Sequence, residues 1–119
     1  MKVLLDESCP AQLRAHLAHH ETFTAVYAGF GGFRNGDLLR AAEDGGFDVL
    51  VTADKTLRYE QNLIGRKLAL VCLSANSWRV IEPNVAKIVA MVDGAEPGSV
   101  TQVECGSFVR KRRKPLEPK

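Results

Sequence analysis

At 119 residues, with 45% hydrophobic and 25% charged side chains, the chain has the size and composition of one soluble globular domain. No apolar run nears the roughly eighteen residues of a membrane span, and the N-terminus enters a strand-like run without signal-peptide architecture, so a cytoplasmic protein is expected. Three widely spaced cysteines without CxxC spacing exclude a disulfide framework, and the net charge of +2 excludes a strongly basic or acidic body.

Lys2–Leu5 reads as a strand. Ser8 suits the cap of a following helix with Pro10 in its first turn, and Leu13 and Leu17 share one face of that helix. Thr22–Ala28, rich in β-branched and aromatic residues, reads as a second strand. The glycine-dense stretch GFGGFRNG then leads to a predicted N-cap at Asn35. Leu38, Ala41 and Ala42 give the next helix its i, i+3, i+4 face, and Gly45 and Gly46 close it.

Val49–Ala53 is an apolar strand running into Asp54, followed by a short helix expected over Leu57–Leu63 and stopped by Gly65. Leu68–Leu73 is continuously apolar, as in a strand covered on both faces. Val85–Val92 has helical spacing behind Pro83, and Ser99–Glu104 with Ser107–Arg110 suggests a closing hairpin around Gly106. Strands alternating with helices predict an α/β fold with a mainly parallel central sheet. Residues 1–110 form the domain. In the tail from Arg110 onward, six basic residues face Glu117, a net of +5, which leaves ten basic and thirteen acidic residues, or −3, in the rest. A basic end suits an anionic partner such as RNA, and equally suits a solvated terminus.

Three aspartates carry the chemistry. Asp6 and Asp54 follow the first and third strands and so belong at the carboxyl edge of a parallel sheet, where ligands of such sheets bind. Asp37 lies in the first turn of the helix after the glycine loop. Clustered carboxylates repel unless a cation compensates them, and hard oxygen ligands suit Mg²⁺ or Mn²⁺. Each acid also has a plainer role: Asp37 as a helix-dipole partner, Asp54 as an N-cap, Asp6 as a turn residue.

MKVLLDESCP, GFGGFRNGDLL and DVLVTADK together resemble short bacterial PIN-like domains related to the toxin ribonucleases of toxin–antitoxin pairs, and the resemblance extends to VECGSFVRKR. It implies a three-layer α/β/α fold with Asp6, Asp37 and Asp54 as catalytic, metal-binding acids and Thr52 as a supporting hydroxyl. It further implies Mg²⁺- or Mn²⁺-dependent RNA cleavage, a cognate antitoxin and a homodimer. PIN nucleases commonly carry a fourth acid after the next strand, where this chain reads Leu73-Ser74-Ala75-Asn76. Glu7 is a substitute charge, although neighbours on an extended strand point to opposite faces. Arg34, Lys55, Arg58, Arg110 and Arg112 are candidate RNA contacts.

Two other readings stay open. One is a catalytically inactive PIN-like module that binds RNA or a protein. The other is a phosphorelay receiver, whose switch hydroxyl would fall on Ser74 but whose lysine after the fifth strand is replaced by Glu104-Cys105. His16, His19 and His20 form HxxHH, with the i, i+4 spacing of zinc ligands at His16 and His20, but no general base or third ligand follows in sequence. A polar helix C-terminus explains them more simply.

Overall fold

The computed structural model describes residues 1–54 and 67–106. Within them the strands are β1 (Lys2–Leu5), β2 (Glu21–Thr24), β3 (Val49–Thr52), β4 (Ala69–Leu73) and β5 (Val100–Val103). The helices are α1 (Leu13–His16), α2 (Asn35–Asp44), α3 (Trp78–Ile81) and α4 (Val85–Asp93), the last two joined by a 3₁₀ turn at Glu82–Asn84. The strands form one five-stranded sheet in the order β2-β1-β3-β4-β5, and every pairing is parallel.

Strand alternation builds two apolar layers on this sheet. Val3, Leu5, Val49, Val51, Val71 and Leu73 face one side, where α1 supplies Leu13, and α3 and α4 supply Ile81, Ile88 and Val92. Leu4, Leu50, Leu70 and Cys72 face the other, under Leu38, Leu39 and Ala42 of α2 and under Phe47. The result is the three-layer α/β/α arrangement. Among the described residues no helix is long and apolar enough to cross a membrane.

Helix α2 ends as its glycines predict. Gly46 takes φ of +78°, its amide donates to the carbonyl of Glu43, and the amide of Phe47 donates to that of Ala42. This is the Schellman pair of bonds, sealed by burial of Phe47. Leu13 and Leu17 are both fully buried, as their shared face requires.

Several boundaries differ from expectation. Helix α1 begins at Leu13 rather than just after Ser8, because the Ser8 hydroxyl is bonded elsewhere and turns carry residues 10–12. Strand β2 stops at Thr24, whose hydroxyl accepts the amide of Tyr27 and diverts the chain into a turn. The N-cap of α2 is Arg34, not Asn35. Val100–Val103 pairs parallel to β4 as the edge strand of the sheet. The predicted helix at Leu57–Leu63, the segment Ser107–Arg110 and the basic tail lie outside the described residues.

Candidate active site

Because β2 lies on one side of β1 and β3 on the other, the order in which strands are added reverses between β1 and β3, which is where open parallel sheets form their crevice. Leu4 pairs with Leu50 and Leu5 with Val51, and the amide of Asp6 continues the ladder to the carbonyl of Val51 at 3.0 Å. The next step in register sets Asp6 beside Thr52, both on the α2 side by alternation with Leu4 and Leu50.

The two meet directly. The Thr52 hydroxyl donates to Asp6 Oδ2 at 2.7 Å, and the Ser8 hydroxyl donates to the same oxygen at 2.8 Å. The amide of Glu7 donates to Asp6 Oδ1 at 2.7 Å. Each hydroxyl in turn accepts a backbone amide from the end of β3: Ala53 N–H to Ser8 Oγ at 3.0 Å and Asp54 N–H to Thr52 Oγ1 at 3.0 Å. With Thr52 fully buried, this network locks the Asp6 carboxylate. Both lone pairs of Oδ2 are engaged, so Oδ1 is the atom left to take a further partner.

Asp6, Glu7, Ser8, Gly32, Phe33, Arg34, Leu38 and Asp54 line a cleft of about 260 Å³ at this edge. Glu7 therefore shares a wall with Asp6, against the expectation from strand alternation. The reason is that β1 ends at Leu5 and residues 6–9 form a turn closed by the Cys9 amide on the Asp6 carbonyl at 2.9 Å. From that turn Glu7 Oε1 accepts the amide of Gly32 at 2.9 Å, tying the glycine loop to the cleft. Gly32 has φ of +84°, a conformation that favours glycine.

Arg34 reaches the cleft wall, whereas Asp37 does not. Asp37 is exposed in the first turn of α2 and pairs with Arg40 at 2.8 Å. Lys55, Arg58, Arg110 and Arg112 lie outside the described residues. Ser8, Gly32, Phe33 and Leu38 are the cleft residues that sequence reasoning missed. For Ser8 a signal existed in the Asp-x-Ser spacing, which favours a local side-chain turn as much as a helix cap. Ser74, where a fourth acid or switch hydroxyl was sought, donates to Glu104 at 3.3 Å and accepts the Cys105 amide at 2.7 Å.

Beneath the cleft Cys9 is buried, and its thiol donates to the Val51 carbonyl at 3.3 Å. Burial, reinforced by the Asp6 carboxylate, pushes its pKa well above the ordinary thiol value, so it is no nucleophile. The donor set of the cleft is hard oxygen, of the kind Mg²⁺ or Mn²⁺ prefers, and Asp6 and Asp54 on its wall are the residues that could hold such an ion. Comparison with protein-family models, curated proteins and solved structures finds no match to the chain.

Proposed function

We propose that the chain is a PIN-like endoribonuclease dependent on Mg²⁺ or Mn²⁺, the toxin of a toxin–antitoxin pair, acting on RNA in the cytoplasm as a homodimer and restrained by a cognate antitoxin. The observation that carries this reading is the fixed Asp6 carboxylate sharing one cleft with Asp54 at the carboxyl edge between β1 and β3. A hard divalent ion held there supplies activated water and neutralises charge on the phosphodiester. In this reading Thr52 and Ser8 hold Asp6 in one rotamer, Arg34 receives a substrate phosphate, and Glu7 keeps the glycine loop over the cleft.

Asp37, bound to Arg40 outside the cleft wall, favours a second reading as a catalytically inactive module that binds RNA or a protein. A receiver reading fits the strand order but meets Glu104 and Cys105 where it needs a lysine. The test is incubation of the purified protein and an Asp54→Asn variant with a mixed single-stranded RNA pool and Mn²⁺. Cleavage by the parent alone supports the nuclease. Binding without cleavage by either favours the inactive module, and labelling of Asp54 by acetyl phosphate identifies a receiver.

A further inference from the structure

At the amino edge of the sheet, away from the cleft, two segments distant in sequence bring three metal-ligating side chains to one point. His19 Nε2 lies 2.8 Å and His20 Nε2 2.6 Å from the same oxygen, Asp93 Oδ1. All three ligand atoms fall within 4.8 Å of one another. The histidine pairing suggested by sequence, His16 with His20, does not form: α1 ends at His16, which instead contacts the Trp78 ring. The third ligand that the sequence lacked is supplied by the end of α4, 73 residues beyond His20.

We propose that His19, His20 and Asp93 form a binding site for a borderline divalent cation of the zinc class. Two imidazoles and a carboxylate are the donors such ions select, and three protein ligands leave the fourth position to water. Ligand atoms around a tetrahedral zinc stand roughly 3.3 Å apart, given Zn–N bonds of about 2.0–2.1 Å. The two histidine–aspartate separations, 2.8 and 2.6 Å, need to open by only about 0.5–0.7 Å once the ion replaces the bridging protons.

A second observation points the same way. Asp93 is the last residue of α4, whose last turn carries no basic residue. An anion at that end opposes the helix dipole and calls for a cation. His20 is also pre-positioned: its side chain is only 10% exposed, and its other ring nitrogen lies 3.3 Å from the Met1 amine. Ligation through Nε2 puts the ring proton on Nδ1, so zinc binding would turn the Met1 amine, itself a donor, away from that nitrogen. Binding would staple the segment between α1 and β2 to the end of α4.

The test is calorimetric titration of the full, reduced, chelator-stripped protein with ZnCl₂, beside His19→Gln, His20→Ala, Asp93→Ala and Asp54→Asn variants. One saturable site at His19, His20 and Asp93 is expected, distinct from any zinc taken up at the Asp6 cleft, which Asp54→Asn removes. Its affinity should fall at least tenfold in each of the first three variants and stay unchanged in Asp54→Asn. The exposed His19 keeps the test valid if His20→Ala fails to fold. Zinc should raise the Tm of the parent but not of His19→Gln, and Co²⁺ should give visible bands without thiolate charge transfer. Absence of saturable binding, equal affinity in His19→Gln and Asp93→Ala, a thiolate band, or loss of binding in Asp54→Asn alone would overturn the proposal. Because the readout is zinc binding at the opposite sheet edge, its failure is separate from failure of the nuclease reading.

Discussion

Thr52, at the end of β3, donates its hydroxyl proton to the carboxylate of Asp6, 46 residues earlier, across 2.7 Å. The same oxygen accepts the Asp54 amide at 3.0 Å, so one buried hydroxyl organises both acids. Thr52→Val keeps the shape and removes both bonds. It should lower stability by about 1–3 kcal/mol, the range for leaving buried polar groups unpaired. Thr52→Ser should recover most of that loss. Urea unfolding measures both, and a Thr52→Val variant as stable as the parent would show that the hydroxyl is dispensable.

Glu7 and Gly32 hold the glycine loop against the cleft through a single bond of 2.9 Å. Glu7→Ala should speed hydrogen exchange at the Gly32 amide and leave the β3 and β4 amides as slow as before. Gly32→Ala meets no atom within 4 Å but keeps a φ of +84°, so a cost of about 1–2 kcal/mol is expected from backbone strain alone.

All three cysteines are buried and none forms a disulfide. A disulfide-exchange reagent should titrate no thiol rapidly in the native protein and all three in denaturant. Cys9 should be the last to react, since burial and the neighbouring Asp6 both hold it protonated. Rapid native labelling of Cys9 would mean that the turn at residues 6–9 opens readily.

Hydrogen bonds from His19, and then from His20, hold the Asp93 pKa below its ordinary value of 3.8. A carboxylate whose folded pKa lies below its unfolded one contributes stability fully above the unfolded value, and loses it as pH falls through the folded one. The acid limb of the stability curve below about pH 4 should therefore be shallower in Asp93→Asn than in the parent, measured in EDTA. Identical limbs would mean that these bonds do not survive in solution.

The fold was legible in sequence where local pattern and burial agree. Continuous apolar runs gave β1, β3 and β4, and Gly45-Gly46 gave the end of α2. The boundaries that slipped did so where a side chain chose a distant partner over a local one. Ser8 left its helix for Asp6 and Ala53, and Thr24 ended a strand that its neighbours would have continued. At the site, Asp6 and Asp54 could be paired because strand ends in a parallel sheet have one predictable edge. Asp37 could not be, since the arc of the glycine loop decides where α2 begins, and no periodicity encodes that arc. Asp93 was invisible as a partner of His19 and His20 because nothing local marks a contact made across more than seventy residues.

Among the described residues, every bond that fixes Asp6 is made by residues 6 to 54. Within the sheet β3 closes this network against β1, and β4 and β5 add outward from β3, one beside the other. The acid-bearing edge is thus drawn from the first half of the chain, and the second half contributes the cover that keeps it folded. Lesions in α4 or β5 should then lower the amount of folded protein without altering how each folded molecule holds Asp6.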